Sequence, residues 1–189
     1  FFQGMECPEF RRFQDQRLFV NTNVPHPYSY LELRLARPSE FEILEVWAGQ
    51  MLEEDTGINP RNIDIDTHRS NYFEKIQEGR ILVGELTEEA CLILKLNYQS
   101  LMHHFGEIAF VLELGSQIKM GTQVGNTFVP SHLRRHGIGF RGMRGAVHRI
   151  LQTSHIVTLL AHEKNLPAVR THLRAGFKKS TPFRVIELL

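Results

Sequence analysis

The residues best placed to do chemistry are Arg134-Arg135-His136-Gly137-Ile138-Gly139. They follow a strand-like run, Gln123 to Pro130, and open an amphipathic helix that continues towards Thr153. The first N–H groups of a helix have no intrahelical acceptor, and the helix dipole adds partial positive charge there. Glycines let a ligand approach the backbone, and neighbouring arginines favour a phosphorylated one, most simply a pyrophosphate.

One reading is a dinucleotide site. Gly137-Ile138-Gly139-Phe140-Arg141-Gly142 matches G-x-G-x-x-G, and Glu163 stands near where a ribose-binding acid belongs. Two features weigh against it. That motif normally opens its domain, whereas only about fifty residues follow here, and Pro130 to His136 separates the strand end from the first glycine. Other features with chemical potential are weaker. His132 and His136 sit at i, i+4 like a metal pair but have no third ligand beside them, so no metal is expected. His103-His104 reads as an exposed loop. Trp47 and Cys91 read as packing, since Cys91 lies in an apolar run with no base nearby.

The supporting elements can be placed around this turn. Leu31 to Leu35 reads as a strand. Ser39 with Glu42 forms a capping box, and Leu44, Trp47, Ala48 and Met51 give the following helix one apolar stripe up to Gly57. A second helix covers Thr67 to Glu78, closed by Gly79. Arg80 to Leu86 and Cys91 to Tyr98 read as a β-hairpin. Gly106 to Leu114, Gln123 to Val129, Ile156 to Ala161 and Phe183 to Leu189 are further strands, and Asn165 to Ala175 is a short helix. The sum is an α/β (α+β) chain with a mixed sheet, antiparallel early and βαβα late.

Composition narrows the class. The 189 residues, 42% hydrophobic and 23% charged, describe one globular domain. A net charge of +1 gives no bulk affinity for nucleic acid or membrane. No apolar run reaches the roughly 20 residues of a membrane span, and two cysteines suit a reducing compartment. Phe1 to Gly4 looks like a tag remnant, and residues 5–30, with Pro8, Pro25 and Pro27, read as an arm or linker before a domain over 31–189.

Two motifs in order carry a family resemblance. Arg134 to Gly139 has the form R-x-x-G-x-G. Asn165, Ala168, His172 and Gly176-Phe177 stand in the spacing N-x-x-A-x-x-x-[Y]-x-x-x-G-F. Together, with one strand between them, they resemble the GCN5-related N-acetyltransferase (GNAT) superfamily over Leu31 to Leu189. Met51 to Pro60 also resembles a bacterial branch in which this domain is often the C-terminal half of a longer protein.

The resemblance implies a mostly antiparallel sheet with a V-shaped split between two parallel strands, flanked by about four helices. Acetyl-CoA would lie between Gln123–Val129 and Ile156–Ala161. Its pyrophosphate would meet Arg134, Arg135, His136, Gly137, Ile138, Gly139 and Phe140. Its pantetheine would pair with Thr127, Phe128 and Val129 and bond Asn165. An N–H of the first strand would hold the thioester oxyanion. His172 replaces the family's tyrosine as candidate general acid, with Glu107 and Glu113 as candidate bases and Glu53-Glu54-Asp55 facing a cationic acceptor. The implied protein is a cytoplasmic N-acetyltransferase of a small-molecule or peptide amine, with a homodimer compatible and no nucleic-acid or membrane partner. The competing readings are a CoA-binding module with weak catalysis, and a nucleic-acid binder using Arg141, Arg144 and Arg149.

Overall fold

A computed structural model describes residues 10–188, with side chains from 15 to 184. The expected tag remnant, Phe1 to Gly4, and Cys7 lie outside the described residues. Seven strands form one sheet in the order β2-β3-β4-β5-β6-β1-β7. In chain order these are β1 (Phe10–Asn21), β2 (Arg34–Leu35), β3 (Ile81–Glu85), β4 (Ile108–Ile118), β5 (Gly121–Phe128), β6 (Val157–His162) and β7 (Lys178–Leu188). Every neighbouring pair is antiparallel except β5 and β6. The helices are α1 (Phe41–Thr56), α2 (Ile65–Gln77), α3 (Glu88–Ile93), α4 (Tyr98–Leu101), α5 (Ile138–Ile150) and α6 (Leu166–Arg174). Among the described residues no helix is long and apolar enough to cross a membrane.

Side chains alternate across a strand, and the sheet uses this to build two cores. Leu82 pairs with Leu112 and points to the cluster of Met143, Ala146, Val147 and Ile150 from α5. The next pair, Val83 and Val111, joins Leu44, Tyr72, Ile76 and Phe128 on the other face, under α1 and α2. Gly142 and Gly145 bring α5 close to the sheet. A Cβ on Gly142 would lie 2.3 Å from the Phe110 ring, and one on Gly145 would lie 2.1 Å from the Leu31 carbonyl oxygen. The third glycine of the apparent dinucleotide fingerprint is therefore a packing residue.

Three expectations are corrected. Residues 5–30 are not simply an arm: Phe10–Asn21 is a 12-residue strand filed between β6 and β7. Its Phe19 is fully buried, and Asn21 donates from Nδ2 to the Ala175 carbonyl at 3.3 Å. Cys91 to Tyr98 is not a strand. Thr87 caps α3 by accepting from the Ala90 N–H at 3.0 Å, and Asn97 caps α4 in the same way. The run Cys91-Leu92-Ile93-Leu94 buries only Cys91 and Leu94, three apart as one helix face requires. The cap expected from Ser39 and Glu42 is not made: α1 starts without a side-chain cap, and Glu40 instead accepts from the Arg37 N–H at 2.7 Å across the short turn Pro38–Glu40 that precedes it.

Candidate functional site

The parallel strands β5 and β6 pair only at Thr122–Val157, Gln123–Thr158 and Val124–Leu159. Beyond that point β5 runs on to Phe128 with no β6 partner, so its backbone edge facing β6 opens into a split. On its other edge β5 carries one extra residue against β4, because Gly125 pairs with Glu113 but Phe128 pairs with Val111. Asn126 sits in this bulge at φ 47°, a left-handed conformation that Asn tolerates better than most residues.

The turn after β5 is shaped by positive φ at Arg135 (69°) and Gly137 (80°). Among the described residues, the N–H groups of Arg135 through Phe140 find no backbone acceptor, and the first intrahelical bond of α5 comes from Arg141 to the Gly137 carbonyl. The turn therefore presents consecutive donors at the positive end of a helix. A Cβ on Gly139 would make only ordinary contacts, 3.6 Å to Val129 and 3.8 Å to Thr171. The protein's own packing therefore does not demand glycine there. The same contacts bring the end of β5, the turn and α6 together. Asn165 caps α6 through Oδ1, which accepts from the Ala168 N–H at 3.2 Å. That leaves its Nδ2 group to donate to a ligand.

The side chains of the turn divide their work. Arg134 is tied inward: Nε donates to the Val129 carbonyl at 2.9 Å, Nη2 meets Glu54 at 2.9 Å, and the guanidinium lies 5.2 Å over the Phe128 ring. Positive charge comes instead from Arg141 and Arg174, stacked 4.8 and 4.6 Å from the Phe140 ring. Burial, then the charges of Arg144 and Arg174, lower the Arg141 pKa, and its Nη1 donates to the Ser29 carbonyl at 3.3 Å. Glu163 is taken by Arg17 at 2.9 Å, with Lys179 at 3.5 Å, so it serves β1 and β7 rather than a ribose.

On the far side of β5 lies a pocket of about 300 Å³. Trp47, Met51, Tyr72 and Phe128 supply its apolar walls, and Glu113 and Asn126 its polar floor. Sequence reasoning placed Trp47 in the core. It is half-buried, tilted against Phe128 with centroids 5.9 Å apart, and lines this pocket. Lys75, Arg80 and Asn126 were not anticipated. Oε1 of Glu113 accepts from Arg80 at 3.0 Å; Oε2 accepts from Lys75 at 3.0 Å and Asn126 at 2.7 Å. A base here must exchange one of these donors to take a proton. The only sequence signal was Lys75 at the end of a helix whose apolar face points to β4.

The other expected catalytic groups lie elsewhere. Glu107 is not in this pocket; it sits between His104 and His132, at 3.1 and 3.0 Å. Burial would raise its carboxyl, but the two imidazoles outweigh that and hold it below the ordinary value. Glu53 accepts from Asn59 and Glu54 from Arg134, so neither reaches the pocket. His172 is buried, its ring 5.7 Å from Phe19 and 6.1 Å from Phe177, and its Nδ1 has no partner. Burial lowers its pKa to about 4, so no imidazolium proton is held there at neutral pH.

No protein-family profile and no curated protein matches the chain. Solved structures do. A GNAT-family acetyltransferase of Colwellia psychrerythraea superposes with a TM-score of 0.61 at 13% identity, over 95% of this chain and 58% of that one. A ribosomal-protein-alanine N-acetyltransferase of Brucella melitensis gives 0.57 at 15% identity, over 84% and 100%. A proposed acetyltransferase of Salmonella typhimurium, solved with its cofactor acetyl-CoA, gives 0.54 at 16% identity, over 80% and 81%. The chain spans less than two thirds of the Colwellia protein's length. With a sheet parted at one parallel pair and a glycine turn at the head of α5, the chain has the GNAT fold.

Proposed function

We propose that the protein is a cytoplasmic acetyl-CoA-dependent N-acyltransferase acting on a small-molecule or peptide amine. The observation that carries this reading is the split between β5 and β6 ending at a turn with consecutive free N–H groups. The groups present fit such a donor: a strand edge without a β6 partner at Thr127 and Phe128 for the pantetheine amides, and the free N–H groups from Arg135 to Phe140 for a pyrophosphate. Acetyl-CoA supplies an activated thioester. In this reading an N–H of β5 holds the carbonyl oxygen as charge develops on it. The pocket behind β5 receives the amine, with apolar walls from Trp47, Met51 and Phe128.

In the transfer, the amine nitrogen bonds to the carbonyl carbon, the C–S bond breaks, and CoA leaves as thiolate. Glu113, reached through water, takes the amine proton; solvent protonates the thiolate. A thiol pKa near about 8.5 makes it a tolerable leaving group unaided, which suits a chain whose His172 is buried and neutral. Glu107 has no part in this scheme, because it belongs to a separate cluster.

A second reading, a CoA-binding module with little catalysis, is favoured by the three donors that occupy Glu113. The test is thermal stabilisation by acetyl-CoA but not by NAD, followed by thiol release over a panel of amines. Stabilisation with release establishes the enzyme. Stabilisation without release establishes the binding module. No stabilisation refutes both.

A further inference from the structure

The cluster of His104, Glu107 and His132 takes no part in the proposed transfer. It draws its members from three segments: the turn Met102–His104, the residue before β4, and the turn Ser131–Leu133. His104 Nδ1 lies 3.1 Å from Glu107 Oε1, and His132 Nε2 lies 3.0 Å from Glu107 Oε2. The donor atoms of all three lie within 4.8 Å of one another, and the two imidazole centroids are 5.0 Å apart. A tetrahedral ion with bonds of about 2.0–2.1 Å needs donor atoms about 3.3 Å apart, so little movement would admit one.

The ligands are also held in place by their neighbours. Glu107 is fixed by its backbone, its N–H donating to the His104 carbonyl at 3.1 Å and its carbonyl accepting from Leu86 at 2.9 Å. His132 precedes Leu133, which is fully buried and whose N–H is bonded to the Pro130 carbonyl. His104 precedes Phe105, packed edge-on against Tyr98. Rigid anchors on both imidazoles limit the entropy lost on binding.

We propose that His104, Glu107 and His132 form a zinc site. Two imidazoles and one carboxylate are the donor set of a borderline transition metal and not of magnesium or calcium, which prefer oxygen alone. All three side chains retain exposure, from 29% to 48%, so the fourth position is open to water. An ion there clamps the turn before β4 to the turn that leads into Arg134. In sequence His132 had only His136 for company; the fold supplies partners 25 and 28 positions earlier.

The test is titration of the metal-free protein, without CoA, by zinc using calorimetry and by cobalt using visible absorption. The expected result is one equivalent of zinc, a higher melting temperature, and cobalt bands of tetrahedral intensity. His104→Gln and His132→Gln each weaken zinc at least about tenfold and reduce the melting shift, since even an outer-shell partner is worth that much. His136→Gln leaves both unchanged. Melting in a chelator shows that the variants fold. Absence of zinc binding, or equal binding by the His104→Gln/His132→Gln double variant, overturns the proposal. So does loss of binding in His136→Gln alone.

Discussion

Replacing His172 by phenylalanine should flatten the stability of this protein against pH. Burial between Phe19 and Phe177 lowers the imidazole to about 4 from an ordinary 6.5. Between those values the unfolded chain binds a proton that the folded chain refuses. Stability from this residue is therefore complete above about pH 6.5, falls as pH drops, and levels off below about pH 4. At about 1.4 kcal/mol per unit, over the roughly 1.5 units from 6.5 down to pH 5, the loss is about 2 kcal/mol. Urea unfolding at pH 7.5 and pH 5 measures it, and groups common to both proteins cancel in the comparison. The wild type should lose about 2 kcal/mol more than His172→Phe; equal losses would refute the burial argument. The readout is the difference between two pH values, so a changed baseline stability does not disturb it. At pH 7.5 the variant also sheds a buried, unpartnered Nδ1 atom, which offsets part of any packing cost. If the thiolate leaves unaided, turnover falls less than tenfold; a fall of about a hundredfold or more would restore His172 as the acid.

Gly139→Ala should melt near the wild type, because the added Cβ makes ordinary contacts, yet weaken CoA about tenfold by narrowing the ligand's approach; calorimetry reads both parts. Gly142→Ala should lower the melting temperature by several degrees. Its Cβ would meet the Phe110 ring at 2.3 Å, costing about 1–3 kcal/mol against a helix-propensity gain of about 1 kcal/mol. Glu113→Gln should retain CoA binding and slow transfer to amine in steady-state assays. Its stability cost should be only about 1 kcal/mol, since Lys75 and Arg80 are each about a third exposed and can rehydrate.

The parts of this site written in contiguous sequence could be read directly. The turn from Arg134 to Phe140 announces itself through glycines at a helix start, and α2 through its closing Gly79. What stayed hidden depends on partners distant in the chain. Glu113 looked like a free carboxylate until Lys75 of α2, Arg80 just before β3 and Asn126 of β5 met it. The arginine motif promised a phosphate ligand at Arg134, but that side chain turns back to Val129 and Glu54. Thr87-Glu88-Glu89-Ala90 is legible as a helix cap, but the apolar run behind it suggests the second strand of a hairpin. β1 hid for a different reason: Phe10, Phe13 and Leu18-Phe19-Val20 keep no period of two, and Gln14 to Arg17 is an unbroken polar run.

That strand has a consequence for how the molecule is made. β1 leaves the ribosome before β6 and β7, yet it pairs with both; Arg17 meets Glu163 across 146 residues of chain. Closing so long a loop is slow, so β1 waits while the rest of the sheet is synthesised. Until it docks, β6 has an open edge on the side away from the split, the kind of edge that recruits other strands. β1 is therefore a latch closed late in folding, and its weakening should show first as aggregation of nascent chains and only later as loss of activity.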